Sequence, residues 1–273
     1  MVAKKNVFLC HKSINLNMKS IKTLRSTSLA CALLLWLTAC HSTYTVTSST
    51  GRRIVIDEAL DAAPDSGAIA LLAPYQAKVD SVMTRPLGEA AEDMGRSRPE
   101  GALTRLVADI LRLAATEVLG HPADVAFMNA GGIRTTLTKG TISYGTALEL
   151  LPFDNSLCVL TMKGSALMAA FDDVARLKGN GVSGATLRIS PQYKAKNVRV
   201  GGRPIDPERL YTVATIDYLA DGNDGMGSLI QYEERTCPPG RTLRQLFVEY
   251  VERETAAGRT IKAPAPGRIL VEQ

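Results

Sequence analysis

The chain of 273 residues is 45% hydrophobic and 22% charged, a globular composition with enough apolar material for one large or two small cores, which excludes a wholly disordered or fibrous protein. Its formal charge is +5 and its pI about 9.0. Lys4, Lys5, Lys12, Lys19, Lys22 and Arg25 stand in the first 40 residues with no acid among them, so the remainder carries a charge of −1. The basic balance belongs to the N-terminal leader and gives no reason to expect a nucleic-acid partner.

Lys19, Lys22 and Arg25 form a positive region ahead of a short apolar run at 29–37, too short to span a bilayer comfortably. The sequence then reads Leu37, Thr38, Ala39, Cys40, which resembles the lipobox of bacterial lipoproteins. The resemblance implies export, cleavage before Cys40, and lipid attachment of Cys40 to a bacterial membrane, on its periplasmic side or at the cell surface. Met18, immediately ahead of this signal, is the expected start of translation. Residues 1–39 are then leader and signal peptide, and 40–51 a lipidated cysteine with a Ser/Thr-rich flexible tether. The folded domain is expected over 52–273.

Apolar residues recur at helical spacing over 69–83 and over 102–119. In the second stretch Leu103, Leu106, Val107, Ile110, Leu113 and Ala114 share one side, and both helices are expected to cover a sheet. Short apolar or β-branched runs predict strands at 125–128, 157–162, 185–189, 198–200 and 211–216, with Gly201 and Gly202 making a hairpin turn. Further helices are expected at 165–177, opened after Gly164 and closed by Gly179, and at 243–254. The stretches 238–240 and 264–267 read as surface loops. Interleaved helices and strands predict a single α/β domain of the α+β type, a mixed β-sheet with helices packed on it. Of the five cysteines, Cys10 and Cys31 leave with the leader. Cys158 and Cys237 remain, as a disulfide or as two thiols.

Three stretches carry candidate chemistry. Asn129, Ala130, Gly131, Gly132, Ile133 and Arg134 follow a strand directly: paired glycines let a backbone approach a ligand, and the arginine fork suits phosphate or carboxylate oxygens. Leu151, Pro152, Phe153, Asp154 and Asn155 precede a strand and offer an aromatic face beside an amide that can pair with a base edge. The run from Asp217 through Tyr218 to Asp224 and Gly225 ends a strand in a Gly-rich loop, but Asp221, Asn223 and Asp224 lack the downstream Glu of an EF-hand. The run from Gly179 through Gly181 to Gly184 fits the dinucleotide G-x-G-x-x-G pattern. It follows a helix and precedes a strand, the reverse of the context that a Rossmann site requires.

In this order and spacing, and with Gly140, Ser143 and Gly164 between them, the three stretches resemble the C-terminal, substrate-binding domain of the 5'-nucleotidase and UDP-sugar hydrolase family, from about Arg96 to Gly225. The resemblance implies that Phe153 and Tyr218 sandwich a nucleobase, with Tyr218 where Phe is common, that Asn155 pairs with the base, and that Asp224 holds the ribose. It assigns Arg134 to substrate phosphate, Asn129 and Gly132 to shaping the same loop, and Gly181 to a loop bordering the nucleoside pocket. A further substrate arginine is Arg96 or Arg98. Base–aromatic stacking of this kind is worth about 1–3 kcal/mol per base and tolerates different bases.

Full-length members of that family carry an N-terminal metallophosphoesterase domain in which two metals are held by His, Asp and Asn. These 273 residues leave no room for it, and past the leader only His41 and His121 remain. No cofactor and no catalytic residue are therefore expected in this chain. The resulting expectation is the nucleotide-binding half of a split 5'-nucleotidase, whose separately encoded metallophosphoesterase partner supplies the divalent metals. The alternative is a surface lipoprotein that captures nucleotides or nucleosides without hydrolysing them.

Overall fold

The computed structural model describes residues 45–53, 55–62 and 64–272; the leader, Cys40 and His41 lie outside them. The chain divides into two compact units, 1–64 and 65–273. The described part of the first holds one 3-10 turn, Glu58–Ala62. The unit that carries the core begins at Asp65, later than the expected boundary near 52.

In chain order the second unit contains α1 (Ser66–Met83), β1 (Pro86–Ala90), α2 (Ala102–Ala114), α3 (Thr116–Leu119), β2 (Val125–Met128), β3 (Gly140–Ser143), α4 (Tyr144–Leu150) and β4 (Leu157–Lys163). It continues with α5 (Gly164–Arg176), β5 (Gly181–Ser183), β6 (Ala185–Ile189), β7 (Ala195–Val200), β8 (Arg203–Pro204), β9 (Leu210–Ile216), α6 (Asp217–Ala220), β10 (Glu234–Thr236), α7 (Leu243–Ala256) and β11 (Ile269–Val271). The strands form three sheets: β1-β3; β10-β4-β9-β2-β5; and β11-β6-β7-β8. The β2–β9 and β11–β6 pairs are parallel and the others antiparallel. This is the expected mixed-sheet, single-domain architecture with helices packed on the sheets.

α2 forms because Leu103, Leu106, Val107, Ile110 and Leu111 fall on one side of a helical repeat and are buried against β2, β5 and β9. The helix expected over 102–119 is two, since the turn at Ala115 separates α2 from α3, which Gly120 closes in the left-handed region at φ 77°. α5 packs on β4, β6, β7 and β9. Between α5 and the sheet, Phe127 meets Phe171 edge to face, with centroids 5.1 Å apart and planes at 70°. β6 alternates buried Ala185, Leu187 and Ile189 with exposed Thr186 and Arg188, the period of a strand covered on one face. Cys158 in β4 and Cys237 just after β10 form a disulfide, which settles the pairing that the sequence left open.

α1 is present, capped by Asp65, whose Oδ1 accepts from the amides of Gly67 at 2.8 Å and Ala68 at 3.0 Å. It does not cover a sheet. Ile69, Leu71, Leu72, Tyr75, Val79 and Val82 are all exposed, and the helix contacts its own unit chiefly through α4. The expectation fails because neighbours such as Leu71 and Leu72 point in different directions, so the apolar residues ring the helix instead of making one stripe.

The Arg241 guanidinium bridges α3 and α7. Its Nε reaches Glu117 at 2.8 Å, and its Nη1 and Nη2 reach Glu249 at 2.8 and 2.7 Å. The hydrogen bond from Arg241 holds the Glu249 carboxyl below its usual range. A depressed carboxyl contributes stability above the unfolded-state pKa, about 4.3 for Glu, and loses it as pH falls through the folded value. In urea titrations, Glu249→Gln is expected to destabilise the unit slightly at pH 7, and the gap from the parent to close below about pH 4. Phe127→Ala, at 0% exposure, is expected to cost about 3–5 kcal/mol in the same assay; a loss under about 1 kcal/mol contradicts the packing described.

Candidate functional site

β9 lies between β4 and β2. Because β2 runs parallel to β9 and β4 antiparallel, the C-terminal ends of β2 and β9 and the N-terminal end of β4 meet at one edge of the sheet. Each of the three sequence stretches occupies one of these ends. From the loop after β2 come Asn129, Gly131, Gly132 and Arg134, from the loop before β4 come Phe153 and Asn155, and from the segment after β9 come Tyr218 and Asp224. Together they line one pocket of about 350 Å³, within the size range of small-molecule sites.

Asn129 is only 4% exposed. Its Nδ2 donates to Asp224 Oδ2 at 2.6 Å, which joins the first loop to the third. Its Oδ1 is buried and has no hydrogen-bond partner among the described residues. Leaving such an acceptor unsatisfied is costly, and it sits beside Gly132, where a Cβ would lie 2.7 Å from it. Gly132 is thus required for the asparagine to occupy its place. Asp224 adopts φ 51°, a left-handed conformation that Asp tolerates better than most residues, and its carboxylate keeps acceptor capacity beyond the bond to Asn129.

Phe153 and Tyr218 are 48% and 44% exposed, so each keeps ring surface free for stacking. The guanidinium of Arg134 lies 5.9 Å from the Phe153 centroid, and its Nη1 donates to the Gly131 carbonyl at 3.1 Å.

The loops are held from behind by residues that the sequence reading did not single out. Arg244, in the first turn of α7, donates to the Leu151 carbonyl at 3.0 Å and pairs with Asp154, while the Leu243 amide donates to the Asn155 carbonyl at 2.8 Å. Arg235 of β10 pairs with Asp221, and that hydrogen bond raises its pKa above the ordinary value. Arg176 of α5 donates to the Gly225 carbonyl at 2.8 Å and pairs with Asp173 at 2.9 Å. The buried Asn180 accepts from the Ala130 amide at 3.3 Å. No short motif marks the three arginines, which stand 93, 14 and 49 positions from the acceptors that they hold, whereas Asn180 lies within the Gly179–Gly184 run.

The remaining sequence candidates fall in different places. Arg96 reaches the first loop, donating to the Ala130 carbonyl at 3.3 Å. Arg98 donates instead to the carbonyls of Leu177 and Gly179 just past α5, and neither arginine is among the residues that line the pocket. Gly181 does not line the pocket. It is buried in β5, paired with Met128, and a Cβ there would come within 2.5 Å of the Thr104 carbonyl, so its role is close helix–strand packing.

Among the described residues no three His, Cys, Asp or Glu side chains are grouped to hold a metal. His121 is exposed, with Nδ1 2.9 Å from the Pro122 carbonyl. Asp154, Asp221 and Asp224 are engaged by Arg244, Arg235 and Asn129.

Arg244→Ala removes two bonds from a side chain that is 16% exposed. It is expected to destabilise the unit by about 1–2 kcal/mol in urea titrations, and Arg244→Lys to recover less than half, because one ammonium cannot reproduce the fork. Full recovery by lysine rules out the two-acceptor geometry.

Residues 82–231 match the family described as 5'-nucleotidase, C-terminal domain. Protein UshA of Escherichia coli (strain K12) is 30% identical over 163 residues, which are 58% of this chain and 29% of that protein. Protein UshA of Yersinia enterocolitica is 32% identical over 172 residues, 60% of this chain and 30% of that protein. The chain therefore spans less than a third of the length of either relative. Among solved structures, the 5'-nucleotidase precursor from Thermus thermophilus is 28% identical, with a TM-score of 0.64 over 77% of this chain and 44% of that one. The Haemophilus influenzae NAD nucleotidase, at 19% identity and a TM-score of 0.58, shares the fold. With the matched segment covering the three loops and four of the five strands of the sheet beneath them, the chain belongs to the 5'-nucleotidase C-terminal domain family.

Proposed function

We propose that this domain is the nucleotide-binding half of a split 5'-nucleotidase, holding the base and ribose of a nucleotide while a metallophosphoesterase in a separate chain hydrolyses its phosphate ester. The observation that carries the reading is the convergence of three loops on one pocket with two half-exposed aromatic rings, a carboxylate and a free amide acceptor. Phe153 and Tyr218 offer surfaces for base stacking, which is insensitive to base identity. Asn155 offers the base edge both a donor and an acceptor. Asp224 accepts from ribose hydroxyls, and the unsatisfied Asn129 Oδ1 takes a further donor from the ligand. Arg134, together with Arg96, meets the phosphate side. Binding energy gathered at base and ribose then orients the distant phosphate for the partner, a positioning effect rather than chemistry on this chain.

In this reading Cys40 carries a lipid and the chain is exported and held at a bacterial membrane. The support is the sequence of the leader. Two proteins confined to one membrane surface meet at high effective concentration, so a modest interface suffices.

Calorimetric titration of the chain with AMP, adenosine and inorganic phosphate, alongside a phosphate-release assay with divalent metal, tests the reading. AMP and adenosine are expected to bind without phosphate release until a metallophosphoesterase is added. Phe153→Ala and Tyr218→Ala are each expected to weaken adenosine binding by about 5- to 150-fold, the equivalent of 1–3 kcal/mol. Asp224→Gly, which keeps the left-handed backbone unstrained, is expected to weaken adenosine more than free adenine. Adenosine affinity unchanged in both aromatic variants sinks the stacking role, and binding with no release under any partner favours capture without hydrolysis.

A further inference from the structure

A second cavity, of about 540 Å³, shares no residue with the nucleotide pocket. The β2–β5 register places it at the opposite end of the sheet: Met128, which leads into the nucleotide loop, pairs with Gly181, whereas Ala126 pairs with Ser183 at the cavity wall. Arg112 of α2, Arg199 of β7 and Arg268 ahead of β11 all line it, with Asp109 as the single carboxylate.

The charges are not equivalent. Arg268 is engaged with the protein, its two terminal nitrogens each 2.8 Å from the Asp109 carboxylate and Nη1 also 2.8 Å from the Val182 carbonyl. Ser183 Oγ donates to the same carboxylate at 2.5 Å. Asp109 is thereby compensated within the wall. Arg112 uses only Nε, on the Ala123 carbonyl at 2.8 Å, and Arg199 only Nη1, on the Gly202 carbonyl at 3.1 Å. Their other guanidinium nitrogens have no acceptor among the described residues. Burial pushes the Tyr250 phenol up, so this lining residue adds a neutral hydroxyl and no negative charge at pH 7.

Arg112 is also fixed in place before any ligand arrives. Gly184 stands over it at φ 76°, and a Cβ there would lie 2.7 Å from Arg112 Nε. A half-buried guanidinium already anchored through Nε loses little freedom on binding. The same arginine lines a neighbouring cavity of about 290 Å³ with Arg203, Arg209 and Asp124; Arg209 and Asp124 pair at 3.6 Å, which leaves Arg203 as the further positive charge there.

We propose that the 540 Å³ cavity binds a small multiply charged oxyanion, a phosphate or carboxylate compound, at a site separate from the nucleotide pocket. Arg112 and Arg199 present donor forks matched to such oxygens, while the Arg268–Asp109 pair builds the wall. This inference does not depend on the proposed nucleotide function.

The test is a titration of the isotope-labelled full chain with pyrophosphate in one arm and citrate in the other, read at individual backbone amides. The amides of Gly184, Thr186 and Gly202 are expected to shift, and Arg199→Gln, an exposed change that leaves the core intact, to raise the dissociation constant about tenfold, the loss of one charge-assisted contact. Arg112→Gln is expected to do at least as much, with adenosine affinity unaltered in both variants. Stronger response to pyrophosphate assigns the site to phosphates, and to citrate, to carboxylates. No shift at these amides with either compound, shifts confined to Gly131 and Gly132, or equal affinity in Arg199→Gln overturns the site, whatever the outcome with adenosine.

Discussion

The position of β9 between a parallel and an antiparallel neighbour governs the rest of the domain. A parallel partner on one side and an antiparallel one on the other bring two strand exits and one strand entry to the same edge of the sheet. Three loops far apart in sequence then face a common space. A one-residue slip of β4 on β9 would turn every side chain of that strand to the other face. The seven-pair ladder from Leu157–Ile216 to Lys163–Leu210 holds that register, and the Phe127–Phe171 contact fixes α5 over β2.

On that frame, polar contacts do the finer positioning. Loops cannot pack a core of their own, so their place is set by hydrogen bonds from rigid elements behind them. Arg244, Arg235 and Arg176 each combine a carboxylate or carbonyl on a loop with a base on a helix or strand. Most of these pairs are partly exposed, so each contributes modestly to stability; their effect is to narrow the range of positions that Phe153, Tyr218 and Asp224 visit. The Asn129–Asp224 bond acts differently. It lies inside the pocket, links two loops, and leaves one acceptor for a ligand.

Much of this was legible in the sequence, because the signals were local. Strands 125–128, 157–162 and 211–216 were legible as short apolar or β-branched runs, and the pocket residues lay in short stretches beside them that only the family resemblance joined into one site. What escaped was set by tertiary contact. β1 contains Pro86 and Gly88 and no strand was expected there, yet it pairs with the four-residue β3 and packs on α7. β5 hides within a glycine pattern that looks like a turn, and Gly181 is there to let α2 approach. The choice between Arg96 and Arg98 rested on spacing alone, whereas the structure separates them by which carbonyls each one reaches. The placement of Phe153 by Arg244 depends on a contact across 93 positions for its carbonyl acceptor, which no local pattern records.

The bridge between Cys158 and Cys237 carries a consequence for handling the protein. β10 is a three-residue strand at the outer edge of its sheet, too short to hold itself there by backbone pairing, and the disulfide anchors it to β4. Disulfides persist in oxidising compartments and are rare in reducing ones. In a chain made in a reducing cytosol, β10 is free to fray, and the seven residues of β4 become the sheet's outermost strand. An uncovered edge of that length invites pairing with another molecule, so reduction leaves the Arg235–Asp221 pair and three ladder positions as the ties that keep β10 over it.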